Sequence, residues 1–230
     1  MMLNKDQIQQ LYTFTQKHYV DWFDVQTELV DHLANGIENH LIQNPNATFE
    51  DALNTEFKKF GVTGFSDVIE EKTKALNTHY RKLVWQYFKD FFKLPKIILT
   101  LFLIYIFYQL FQFVDERLYI LIPTAMVLFW VPLSYFIKSV KSIRKTKKET
   151  GKKWLFDNTA LQLGELSHIF NIGIYGGIIF DSNKNWSNTQ ELIFSILMVG
   201  FALILYVSIY IVSPKLRNEA AKQHPDYKFA

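Results

Sequence analysis

The chain has 230 residues, a formal net charge of +3, no cysteine and an aromatic content of 17%. Without cysteine, disulfides, thiolate metal sites and cysteine nucleophiles are excluded, and the length suits one small soluble module beside a small membrane bundle. The net charge averages two unlike halves: residues 1–56 hold nine acids against two lysines, whereas from residue 94 onward apolar runs alternate with basic stretches. Membrane topology explains those cations, and no nucleic-acid partner is expected.

The first residues, MMLNKDQIQQLYTF, lack the apolar core of a signal peptide, which predicts an uncleaved, cytoplasmic N-terminus. Asn4 can cap a first helix reaching about His18, with Ile8, Leu11, Tyr12 and Thr15 at helical spacing. A second helix from about Asp24 sets Val25, Leu29, Leu33, Ile37 and Leu41 four apart, a single apolar stripe that Asn44-Pro45-Asn46 brings to an end. Thr48 and Asp51 have the spacing of a capping box, with Asp in place of the usual Glu, and open a third helix reaching about Phe60. Gly61 fits a helix C-cap. Short amphipathic helices cannot bury their stripes alone, so residues 1–65 are expected to form a three-helix cytoplasmic head.

The run Glu28-Leu29-Val30-Asp31-His32-Leu33, followed by Ala52-Leu53 and Phe60-Gly61, resembles the helical domain found ahead of membrane spans in bacterial proteins, known as the permease prefix or HAAS-type domain. The likeness covers residues 22–75; Asn44-Pro45-Asn46-Ala47 stands where a glycine is usual before the third helix. The resemblance implies a signalling or regulatory role beside a membrane module, with no chemistry of its own. Within this motif Glu28 and His32 lie four apart on one helical face, a geometry open to a metal ion. Two ligands fall short of a site and no HExxH pattern accompanies them, so Glu28, Asp31 and His32 are read as solvated or helix-tying groups; no metal or cofactor is expected.

From Ser66 a long helix can run to about Lys93, with Ile69, Thr73, Leu76, Tyr80, Leu83 and Tyr87 close to a heptad seam. Its last turns mix Trp85, Tyr87, Phe88, Phe91 and Phe92 with Arg81, Lys82, Lys89 and Lys93. Rings and long cations together suit a headgroup layer, so this linking helix is expected to reach the inner leaflet.

Four spans are expected at about 97–114, 118–137, 159–180 and 192–212, each near the ~20 residues needed to cross a bilayer. Pro123 and Pro132 should kink the second, and Ser213-Pro214-Lys215 should close the fourth. Between the second and third spans, residues 138–153 read KSVKSIRKTKKETGKK, where Lys138, Lys141, Arg144, Lys145, Lys147, Lys148, Lys152 and Lys153 face one acid, Glu149. A loop so basic is costly to export. It therefore predicts a plasma-membrane protein with this loop, both termini and the 213–230 tail in the cytoplasm, and 115–117 and 181–190 outside.

The third span is the most polar. Gln162, Glu165, His168 and Asn171 recur at three-residue steps, and ionisable groups at membrane depth usually face a bundle interior, where they could relay a proton, bind a cation or hold a polar ligand. The bland alternative is that Glu165 reaches headgroups and His168 bonds a neighbouring helix. Gly173 and Gly177 form a G-x-x-x-G suited to close helix packing, within the bundle or in a homo-oligomer.

The fold class expected is all-α: a helical head followed by a four-helix membrane bundle. The function it favours is a non-enzymatic regulatory or interaction component, with the bilayer and a protein as partners. Its acidic head could dock on the basic central loop through salt-sensitive contacts. A small transporter or transporter subunit using the third span is the alternative, and an intramembrane enzyme ranks last, since no nucleophile–base pair or paired aspartates are present.

Overall fold

The computed structural model describes residues 2–114, 116–159, 161, 186–224 and 227. Helix caps set its first elements. In α1 (Lys5–Lys17), the Asn4 side chain accepts from the Gln7 N–H at 2.8 Å and the Gln7 side chain accepts from the Asn4 N–H at 2.9 Å, a reciprocal capping box. Tyr19 then takes a left-handed φ of 64°, which turns the chain into α2 (Phe23–Gln43). Thr48 caps α3 (Phe49–Lys58), accepting from the Asp51 N–H at 3.1 Å. The Asp51 carboxylate, one methylene shorter than Glu, accepts the Thr48 hydroxyl at 2.7 Å instead of reaching back to the cap backbone. Next come α4 (Ser66–Asp90), α5 (Lys96–Phe113), α6 (Leu118–Thr150), α7 (Asn188–Tyr206), a π-helical turn (Val207–Val212) and α8 (Ser213–Gln223). No strand occurs among the described residues.

By contacts the chain forms two compact units, Met1–Asn77 with Lys145–Asp157, and Thr78–Arg144 with Asn158–Ala230. The first packs Leu11, Val25, Leu29, Val30, Leu33, Ile37, Ala52 and Phe65 into one core, with Leu41, Ile69 and Leu76 at its edge. Gly36 of α2 leaves room for the Glu56 side chain of α3: a Cβ there would lie 2.4 Å from the Glu56 carboxylate. This unit takes in more than residues 1–65, because the beginning of α4 and Leu155 both contribute to its core.

The second unit is built the other way round. Three of its helices, Lys96–Phe113, Leu118–Thr150 and the Asn188–Gln223 rod, are long and apolar enough to cross a membrane. They present Ile98, Leu101, Phe102, Met126, Trp130, Ile193 and Leu197 outward, a surface far larger than the scattered apolar residues a water-soluble protein shows. Inside, α5 packs along α7, with Leu128, Met198, Phe201 and Leu205 in one cluster and Phe111, Ile120 and Leu121 in another. An open apolar cleft of about 330 Å³ beside Pro123 is lined by Phe107, Leu128, Met198 and Ala202. The third expected span, 159–180, lies outside the described residues except at 159 and 161.

Two expectations are corrected. The basic stretch is not a loop over 138–153: α6 continues through it to Thr150, and Gly151 ends the helix at a φ of 70°, its N–H donating to the Lys147 carbonyl at 2.8 Å. Lysine and arginine are good helix formers, so a fall in hydropathy does not mark where the helix ends. Nor does Ser213-Pro214-Lys215 close the last helix, which runs on to Gln223. A proline ring collides with the carbonyl four residues back. Here that carbonyl belongs to Tyr210, inside the six-residue π turn, whose wider register makes room for the ring.

Candidate functional site

Within the first unit, the residues just past α6 are clipped to the start of α2. The Phe23 N–H donates to the Lys153 carbonyl at 2.7 Å, and the Leu155 N–H donates to both Asp24 carboxylate oxygens at 3.1 and 3.2 Å. Trp154, 2% exposed, meets the Phe23 ring edge-on at 5.3 Å. Around this contact, Lys153 bridges to Asp21 at 2.7 Å and Lys152 lies 3.8 Å over the Phe23 ring. The expected docking of acidic head and basic stretch thus takes a different physical form. At its centre are the Trp154–Phe23 contact and the backbone hydrogen bonds, and the Lys153–Asp21 ion pair sits at the exposed rim. Lys138, Lys141, Arg144, Lys145, Lys147 and Lys148 are exposed along α6, with Lys145 4.0 Å from Glu149.

The head motif is brought to no common point. Glu28 pairs with Lys72 of α4 at 2.7 Å, His32 lies edge-on to Phe60 at 5.8 Å, and Asp31 is exposed. No group of three or more potential metal ligands converges among the described residues.

In the second unit a polar cluster surrounds the π turn. A wide turn leaves carbonyls poorly matched to the α-helical ladder, and such turns are often found at functional positions. The Tyr80 hydroxyl, from α4, donates to the Ser208 carbonyl at 3.1 Å. The Tyr135 hydroxyl, from α6, hydrogen-bonds the Ser213 hydroxyl at the turn's end. One turn on, Arg217 donates to the Ser139 hydroxyl at 3.1 Å and to Tyr135 at 3.4 Å. Tyrosines from two helices therefore grip the one irregular turn of a third. Burial, chiefly, and then the neighbouring Tyr135 hold the Tyr80 hydroxyl well above the ordinary tyrosine range, against the opposing effects of its bond to Ser208 and of Arg217. Around the cluster, His79 approaches Glu219 at 3.3 Å and Lys215 donates to Tyr87 at 2.7 Å.

The far end of the same helices holds a second cluster. Glu191, buried in the first turn of α7, accepts from Arg117 at 3.0 Å and from Gln112 at 2.8 Å. Arg117 also lies 5.5 Å over the Trp186 ring. One carboxylate thereby ties the end of α5, the start of α6 and the start of α7. Its lone pairs are met by a guanidinium and an amide, as a buried charge requires.

Sequence reasoning missed Glu191, Tyr80, Tyr135, Ser213 and Arg217 as a set. Hydropathy leaves Glu191 just outside the expected fourth span, which begins at 192. The weak signal available was the i,i+4 pair of Tyr135 and Ser139, a polar step at the end of an apolar run. The candidates Gln162, Glu165, His168, Asn171, Gly173 and Gly177 lie outside the described residues.

No known protein family, curated protein or solved structure matches the chain.

Proposed function

We propose that the protein is a membrane-embedded regulatory or interaction component in which a cytoplasmic helical head is coupled to a transmembrane helix bundle. One observation carries the reading: immediately after the basic end of α6, residues 152–155 are built into the head's own structure, through Asp24, Phe23 and the buried Trp154. A head that merely hung from the membrane would need no such second attachment. With it, any force or partner that displaces α2 pulls on α6, whose apolar part spans 118–137, while α4 leaves the same head by another route. The likeness of residues 22–75 to the permease prefix domain points to the same class of role. The basic stretch supports an orientation with the head, the 138–153 segment and both termini in the cytoplasm of a plasma-membrane protein.

The coupling has a direct test. Asp24→Ala combined with Phe23→Ala should loosen the clip, with circular dichroism checking that the helices remain. Single cysteines at Ser139 and Ser213, introduced into this cysteine-free chain, then report on the π-turn cluster through their maleimide reactivity. Altered reactivity in the loosened variant supports coupling, and unchanged reactivity at both positions removes it. Affinity purification in mild detergent, with and without the clip substitutions, would show whether a membrane or cytoplasmic protein binds in a clip-dependent manner.

A further inference from the structure

The C-terminal turns of α4 have two unlike faces. Tyr80, Leu83 and Phe91 are buried against Val199 and Leu203 of α7, Val207 and Val212 of the π turn and Leu216 of α8. The other face is open. Trp85 is 54% exposed, Phe92 48% and Leu94 79%. These are not scattered side chains: Trp85 stacks on Phe88 at 5.4 Å, and Phe88 meets Phe92 edge-on at 5.1 Å, forming one aromatic ridge.

Cations border the ridge. Lys89 lies 5.4 Å over the Trp85 ring, and Arg81, Lys82, Lys93 and Lys96 are also exposed. Across 81–96 the only acid is Asp90, which accepts from Lys93 at 2.8 Å; this bond holds its carboxyl below the usual carboxylate range. Five cations against one acid give this stretch a net charge of +4. The chain itself fixes where this face must lie. α5, the first apolar rod, begins at Lys96, two residues beyond Leu94. If α5 enters the bilayer there, the ridge can lie no farther from the lipid than a short turn allows.

We infer that the Trp85–Phe88–Phe92 ridge with Lys82, Lys89 and Lys93 is a binding surface for anionic phospholipid, lying in the headgroup layer beside the entry of α5. Rings dock at the polar–apolar boundary, and the long cations reach lipid phosphates that zwitterionic headgroups mask. Each cation near such a surface contributes on the order of fivefold to the preference for acidic lipid. The inference rests on α5 crossing the membrane and adds the face, the residues and the lipid class.

The absence of native cysteine makes the test clean. Single-cysteine variants Trp85→Cys, Phe92→Cys, Ile106→Cys in α5 and Val62→Cys on the head carry a fluorophore. The full chain is reconstituted into vesicles of phosphatidylcholine alone or of equimolar phosphatidylcholine and phosphatidylglycerol, and quenching by headgroup-nitroxide lipid is measured. Labels at 85 and 92 should be quenched several-fold more than the label at 62, and more strongly with phosphatidylglycerol. Lys82→Gln with Lys89→Gln should erase that increment and leave position 106 unchanged. Equal quenching with and without phosphatidylglycerol overturns the anionic preference. Labels at 85 and 92 shielded from both lipid-borne and water-borne quenchers would mean that a second copy or another protein covers the ridge, which also overturns it. Water access at 106 would instead defeat the spanning of α5, a separate failure.

Discussion

The two units solve the packing problem in opposite ways. In the first, Leu11, Leu29, Leu33, Ile37 and Leu53 of α1, α2 and α3 turn inward, and Asp6, Glu28, Asp31, Glu50 and Asp51 of those helices face out, while Asp24 and Glu56 are buried. In the second, Phe102, Tyr105, Phe113, Tyr119 and Trp130 of α5 and α6 stand outside, while Thr100, Ser139, Ser142, Ser195, Ser213 and Glu191 are buried. Water rewards the first arrangement by releasing apolar surface. Lipid gives no such reward, so helices in it are held together by close fit and by hydrogen bonds. One chain thus carries two stabilising logics, joined by α4 and α6, each of which belongs in part to both units.

Tryptophan offers the sharpest way to break that comparison. Trp154 is 2% exposed in the first unit, whereas Trp130 is 68% exposed in the second. Trp154→Ala should destabilise the head by about 3–5 kcal/mol, the usual cost of emptying a large aromatic site. Trp130→Ala should change stability in detergent by no more than about 0.5 kcal/mol, as expected of a side chain facing solvent. Denaturant titration of the two variants checks both, and a comparable loss at Trp130 would mean that its surroundings are protein.

The ion pairs make the same contrast on a smaller scale. Glu191→Ala removes the buried carboxylate that accepts from Arg117 and Gln112 and should cost about 1.5–3 kcal/mol, the range for hydrogen bonds to a charged group. Its weakening should appear as a lower melting temperature in detergent. Asp21→Ala removes only the rim partner of Lys153 and should cost about 0.2–1 kcal/mol, less at high salt. If high salt dissolved the whole clip, the centre around Trp154 would not be what holds it.

The last effect grows with pH and belongs to Tyr80. Its folded-state ionisation lies above the ordinary value of 10.0. The folded form therefore keeps its proton while the unfolded form loses it. The stability this group contributes is fully present below about pH 10 and is lost as pH rises toward the folded value. Tyr80→Phe should flatten that alkaline decline and cost about 1 kcal/mol at neutral pH through the lost bond to the Ser208 carbonyl. Thermal melts across the alkaline range measure both.

Residue pattern by itself determined the local features. Asn4 and Thr48 announce helix starts, the four-residue leucine steps of α2 announce its buried face, and the uncharged runs announce helices able to span a bilayer, because caps, periodicity and hydropathy act over only a few neighbouring residues. Only the tertiary structure decided that the basic stretch continues α6, that Pro214 is absorbed by a π turn, and that Glu191 joins Arg117 and Gln112. Those outcomes depend on partners 74 and 79 positions away in the chain or on a backbone register that no side-chain pattern encodes. The clip shows the boundary most plainly: Asp24 lies 131 positions from the Leu155 N–H that it accepts, and only folding brings them together.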